Sequence, residues 1–195
     1  MGKTLSDAAL DQLFRAARTH RSWTGEPVSE MVLVAVYDLA RMAPTSGNCS
    51  PGRIVFVTSP EAKTRLEPAL DAGNVAQTMS APVTAIIAYD TEFYELMPRL
   101  NTPKSRGWFA GKPDLIEETG FRNGSLQGAY LILAARALGL DCGPMSGFSR
   151  AKVDAEFFPD GKWKSNFLCN LGYGDGARMR PRNPRLEFDE ACRIL

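Results

Sequence analysis

Arginine is the residue whose placement in this chain most suggests chemistry. Arg18, Thr19, His20 and Arg21 follow one another directly. Two guanidiniums and a hydroxyl so close together can surround a phosphate, because Arg gives forked, charge-assisted hydrogen bonds and Thr adds another. Cations are also favoured at the C-terminus of a helix, and this run sits where the first predicted helix ends. Composition alone leaves both readings open. A second basic cluster, Arg178, Arg180, Arg182 and Arg185, lies in the tail. It suits a second anion contact or a solubilising tail.

Two loops add donors, acceptors and bare backbone. Residues 43–51, APTSGNCSP, combine small hydroxyl residues, an Asn and two prolines. These are also the ordinary residues of turns. Residues 142–148, CGPMSGF, hold two glycines that permit close approach of backbone to a flat ligand.

Other chemistries lack their parts. His20 is the only histidine, so a Ser-His-Asp or Cys-His nucleophile would have to use it, and a zinc site lacks its usual ligands. No metal is expected. Cys49, Cys142, Cys169 and Cys192 are far apart and read as free thiols of a cytoplasmic protein. The formal net charge is +1, from 23 basic and 22 acidic residues, which gives no reason to propose nucleic acid or an anionic membrane as partner. There is no run of about 18 apolar residues to span a bilayer, and the opening MGKTLSDAAL has no apolar core of a secretion signal. Neither Gly-rich phosphate motif is present, so a phosphate would be held by Arg side chains.

The elements that must position these groups follow from periodicity. Helices are expected at 4–19, from Ser29 to Ala43, at 60–70, 91–99, 114–138 and 149–158, and strands at 53–58, 82–89 and 165–172. Residues 44–52, 100–113 and 142–148 read as loops, the second as a lid or an unstructured stretch. Within the longest helix, Ala129–Leu138 is apolar on most sides, which places it at the centre of something, a dimer core being one option. The tail, 177–195, reads as an extended arm until about Asp189. There is no repeat and no domain boundary, so residues 1–195 are taken as one domain with a C-terminal arm.

The order of these motifs says more than any one of them. RTHRSW at 18–23, APTSGNCSP at 43–51, APVTAIIAYD at 81–90, RNGSLQGAYLILAARALGLDCGPMSGF at 122–148, NLGYGD at 170–175 and PRNPRLEFDEA at 181–191 together resemble the nitroreductase family. Within it they resemble the malonic semialdehyde reductases of pyrimidine catabolism. The resemblance runs over nearly the whole chain, and the long central segment is its most specific part. It implies an α+β fold, a mostly antiparallel sheet wrapped by helices, and an intertwined homodimer with FMN at the interface. Arg18, Thr19 and Arg21 match the family's phosphate-holding R-R-S-x-R motif, although Ala17 stands in place of its first Arg and Thr19 in place of its Ser. Pro44, Thr45, Ser46 and Asn48 match a segment that borders the flavin from the partner chain, with Ser50 where a Gln is usual. Asn74 and Gln77 match positions at the pyrimidine edge of the isoalloxazine. Ser146 and Gly147 match backbone donors near flavin N5, and Arg182 and Arg185 match a C-terminal phosphate grip.

The implied activity is hydride transfer from NADH or NADPH through FMN to a small aldehyde acid, 3-oxopropanoate giving 3-hydroxypropanoate. A flavin carries the redox chemistry itself, so a chain with one histidine can still be an enzyme. Arg122, Lys104 and Arg106 are the candidates for the substrate carboxylate. The rival readings are a broad nitro- or quinone-reductase, a flavin-binding protein without turnover, and an Arg-rich anion-binding module without flavin.

Overall fold

The computed structural model describes residues 2–195, except for the side chain of Arg178. In the chain's centre the run PVTAIIAYD becomes the strand β2 (Val83–Asp90), whose residues 83–89 are all buried. Its neighbours are β1 (Gly52–Val57) and β4 (Trp163–Gly172), and β4 in turn pairs with β3 (Asp141–Met145). All three pairings are antiparallel, in the order β1-β2-β4-β3. The register sets Val83 opposite Leu171, Asp90 opposite Trp163 and Gly143 opposite Asn170.

The period of two along a strand sends alternate side chains to opposite faces. Val83, Ala85 and Ile87 meet Leu33, Val36 and Ala40 of α2 (Glu30–Ala40) and Leu131, Ala134 and Ala135 of α6 (Pro113–Ala137). Ile86 and Ala88 face Leu66 of α3 (Pro60–Leu66) and Val153 of α7 (Arg150–Phe157). The sheet is therefore the middle of three layers, which explains why β2 is apolar without alternation. Ser29, which the sequence sets at the opening of its helix, accepts a first-turn N–H through its side chain, and Ser59 and Ser149 do the same for α3 and α7.

Glycines let α6 lie close to the sheet. Gly120, Gly124 and Gly128 recur every fourth residue on its inner side, where a Cβ at Gly120 would come within 2.7 Å of the Tyr89 ring and one at Gly128 within 2.6 Å of the Phe167 ring. Gly139, with φ +83°, then ends the helix. Phe121, Leu126 and Tyr130 of α6 are exposed, as are Leu138 just beyond the helix and Met31, Val34 and Tyr37 of α2.

Several expected elements differ. The helix placed at 4–19 is only α1 (Asp7–Leu10), continued by one wider turn over Asp11–Arg15. The loop expected at 142–148 begins as β3. A helix not foreseen, α4 (Ala72–Ser80), joins α3 to β2. The stretch 91–99 gives a single 3-10 turn and α5 (Met97–Leu100), and 100–113 holds a 3-10 turn at Ser105–Trp108. The arm closes on α8 (Phe188–Ala191), whose Glu187 and Glu190 form a capping box. The cysteines are free, and three of them are buried.

The close approach of α6 gives a first prediction. Gly128→Val forces the Phe167 ring and Ile87 aside, and overpacking of this kind costs about 1–3 kcal/mol. A lower urea midpoint at unchanged m-value is the expected result; an unchanged midpoint would mean that the helix can retreat at no cost.

Candidate functional site

After the turn that ends at Arg15, the chain runs alongside β3. Thr19 bridges to Cys142, the His20 N–H donates to the Cys142 carbonyl at 3.0 Å, and Trp23 bridges to Gly174. Thr24 N–H donates to Tyr173 O and Asp175 N–H to Ser22 O, both at 2.9 Å. Buried His20 completes the join: its Nε2 lies 3.3 Å from Asp141 Oδ1, while Asp141 Oδ2 accepts the Gly174 N–H at 2.9 Å. The fit excludes side chains on both partners. A Cβ at Gly143 would lie 2.5 Å from the His20 carbonyl, and one at Gly174 would fall on the His20 ring.

This segment forms one wall of a groove of about 700 Å³. Arg18, Arg21, Arg136, Arg180, Arg182 and Arg185 line it with Thr19 and Ser22, and Asp175 is the only acid among its lining residues. The arm is tied across it. Arg182 donates to the carbonyls of Arg15 and Ala17, each at 2.8 Å, and Arg18 donates to the carbonyl of Arg180. Among the described residues, none of these six guanidiniums is in an ion pair with a carboxylate. The structure thus brings together Arg18, Thr19, Arg21, Arg182 and Arg185, which the sequence separates by some 160 residues. Arg178, expected in the same cluster, has its side chain outside the described residues.

A second cluster sits on α4. Asn74 Nδ2 donates to the Gly147 carbonyl at 2.8 Å, and Gln77 Nε2 donates to Asn74 Oδ1 at 2.5 Å. The loop after β3 is stitched to the same place by Asp71 N–H to Gly147 O (3.1 Å) and Ser149 N–H to Ala69 O (2.7 Å). Asn74, Gln77, Ser146 and Gly147 therefore form one shelf, with Gln77 buried and Ser146 exposed. Gly147 has no need of glycine for its φ; a Cβ there would land on the Asn74 amide. Trp23 connects shelf and groove, its Nε1 donating to the Gln77 carbonyl at 3.0 Å.

The loop around 44–48 stands apart. Ser46 N–H is held by buried Asn123 Oδ1 at 2.9 Å, Ser50 N–H by Thr45 Oγ1 at 3.0 Å, and Asn48 Nδ2 donates to the Leu100 carbonyl at 2.8 Å. Asn48 (φ 54°) and Ser50 (φ 40°) both adopt the left-handed region, a strain that persists only where surroundings enforce it. Pro44, Ser46 and Asn48 are exposed. No hydrogen bond among the described residues links 44–48 to the groove or to the shelf.

Of the cations expected to meet a substrate carboxylate, Arg106 already forms a two-pronged pair with Glu95 (both contacts 2.7 Å), and Arg122 pairs with Glu118 one turn away. Lys104 is exposed and, among the described residues, unpaired. Sequence reasoning missed Trp23 as the link and His20 as its fastener; the glycines at 143 and 174 were the available signal.

A basic groove beside a polar shelf, carried on an antiparallel sheet between helices, is the nitroreductase fold. The chain belongs to the nitroreductase family, whose profile matches residues 14–173. It is 61% identical to a protein of Burkholderia lata over 98% of both chains, and 59% identical to one of Rhodopseudomonas palustris over the whole of both; each carries the provisional name NADH dehydrogenase/NAD(P)H nitroreductase. In structure it is similar to a provisionally assigned nitroreductase of Exiguobacterium sibiricum, solved in complex with FMN, with a TM-score of 0.88 at 18% identity and full coverage of both chains.

The packing at Gly174 generates the second prediction. Gly174→Ala cannot leave the His20 ring in place, so it costs about 1–3 kcal/mol and loosens the wall that carries Arg18 and Arg21. Thermal unfolding with and without inorganic phosphate tests this. The parent should gain stability from phosphate and the variant should gain less. An equal gain would separate His20 from the groove.

Proposed function

We propose that the chain is an FMN-dependent oxidoreductase that uses NADH or NADPH and acts as a cytoplasmic homodimer. The observation that carries this reading is the acid-poor arginine groove joined through Trp23 to the Asn74–Gln77 shelf. A phosphate ester brings about −1.5 to −2 charges at neutral pH, which suits guanidiniums that form no ion pair with a carboxylate among the described residues. The shelf suits the other end of the same cofactor. Gln77 Oε1 is an acceptor for the pyrimidine edge, and the missing Cβ at Gly147 is what lets the loop close against the Asn74 amide and present its backbone beside the shelf.

FMN, when bound, supplies hydride transfer between a reduced nicotinamide and an acceptor. The residues of the chain bind and orient. Arg18, Arg21, Arg182 and Arg185 hold the phosphate, with Thr19 adding a hydroxyl. Asn74 and Gln77 fix the pyrimidine half, and the backbone of Ser146 and Gly147 offers donors toward N5. Pro44, Thr45, Ser46 and Asn48, unconnected to these groups within one chain, border the flavin of the partner. Two copies then complete two sites, and the exposed apolar sides of α2 and α6 are the surface they bury. No helix of the described residues is long and apolar enough to cross a membrane.

For the acceptor we propose 3-oxopropanoate, reduced to 3-hydroxypropanoate in pyrimidine catabolism, on the strength of the resemblance across residues 122–148. Lys104 is then the cation for its carboxylate, since Arg106 and Arg122 are already paired. Turnover of 3-oxopropanoate against nitroarenes and quinones tests this choice, and a clear preference for nitroarenes or quinones would replace it with the broad reductase.

Arg18→Ala and Arg21→Ala should each weaken FMN binding about ten-fold or more, because a hydrogen bond to a charged group contributes about 1.5–3 kcal/mol. Titration of the apo variants, with the flavin spectrum bleached by each nicotinamide in the parent, measures both binding and turnover. Unchanged affinity in both variants would remove the phosphate from this groove, and a bound flavin that neither nicotinamide bleaches would leave a binding protein. Sedimentation at low concentration should give a dimer; a flavin-saturated monomer would contradict the shared site.

A further inference from the structure

Lys63 is buried on α3, 4% exposed, and forms no ion pair among the described residues. Its Nζ donates to the Thr78 carbonyl at 2.9 Å and to Thr84 Oγ1 at 2.5 Å. Thr84 Oγ1 donates in turn to Asn170 Oδ1 at 2.7 Å, and Asn170 Nδ2 donates to the Gln77 carbonyl at 3.3 Å and to Thr78 Oγ1 at 3.4 Å. The Gln77 carbonyl is the one that also receives Trp23 Nε1. The chain of contacts thus runs from a buried ammonium to the backbone of the residue that presents the shelf. An apolar residue at 63 would serve packing against β2 at lower cost, since a buried charge without a partner is expensive. Burial shows that cost by pushing the Lys63 amine down to about 8.

We propose that Lys63 is a positioning residue for the flavin, a buried cation behind Asn74 and Gln77 whose charge favours the reduced form of the cofactor over the oxidised form. The inference depends on the FMN reading above. One hydride brings two electrons and one proton, and so leaves the isoalloxazine with one more negative charge. A fixed positive charge in a poorly screened interior stabilises that added charge. Thr84, Asn170 and the carbonyls of Gln77 and Thr78 hold the ammonium at its station.

The test compares the holoprotein with Lys63→Met, Lys63→Gln and Thr84→Val. Apo protein is titrated with FMN, and the two-electron midpoint potential is measured against a reference dye. In Lys63→Met the affinity for oxidised FMN should stay within about three-fold of the parent. The affinity for reduced FMN should fall about ten-fold further, a potential about 30 mV more negative. Lys63→Gln, which keeps hydrogen-bonding groups without the charge, should behave alike and serves if Met cannot be accommodated. Thr84→Val keeps the charge and should shift the potential less. An unchanged potential in both uncharged variants would overturn the proposal, as would equal weakening of both flavin forms, the mark of a purely structural lysine. A parent that takes up no FMN would overturn the cofactor reading and this proposal with it, whereas a parent that binds and reduces FMN with a potential indifferent to residue 63 overturns this proposal alone.

Discussion

The main-chain ladder between residues 19–24, β3 and the loop after β4 sets the position of the wall that carries Arg18, Thr19 and Arg21 in the basic groove. Side chains as long as arginine reach many places, so a groove of six needs fixed backbone beneath it. The ladder supplies that backbone from both sides. Cys142 and Tyr173 offer carbonyls to His20 and Thr24, and Ser22 returns one to Asp175. Arg182 then uses its guanidinium on the Arg15 and Ala17 carbonyls, so the C-terminal arm is fastened to the same short stretch. The N-terminal turn, the sheet edge and the arm are held as one unit by hydrogen bonds that leave most guanidinium N–H groups unspent.

Charge in this chain is balanced in total and segregated in space. The exposed ion pairs, such as Arg65–Glu156 and Lys162–Glu92, lie away from the groove and contribute little to stability individually. The partly buried Arg53–Asp90 pair, at 2.6 Å, clamps the start of β1 and also sits against Trp163. What matters for function is that so few of the 22 acids reach the arginine cluster. A net charge of +1 conceals a strong local field.

Much of this was legible in the sequence where pattern and packing agree. PVTAIIAYD had to be a strand covered on both faces, and residues 114–138 carried a helical period through to Gly139. β3 was not legible because CGPM joins a glycine to a proline that lacks an N–H. Pro144 is tolerated on this edge because Cys142 is the residue that takes the additional bridge. α4 was hidden for another reason: AGNVAQTMS has little apolar stripe, because Asn74, Gln77 and Thr78 spend their inward side on hydrogen bonds. The arginines were visible as two clusters, and only the resemblance joined them before the fold did. His20 was read as evidence against certain chemistries, and its place under the groove depends on Asp141 and Gly174, which no spacing rule connects.

The contact between His20 and Gly174 also constrains the order in which this sequence can change. A side chain at 174 collides with the imidazole while the ring keeps its place. The reverse change meets no such collision; a smaller residue at 20 opens a void and gives up the contact with Asp141. A change from glycine at 174 is therefore easier after residue 20 has shrunk than while the ring is kept. The packing couples two positions 154 residues apart.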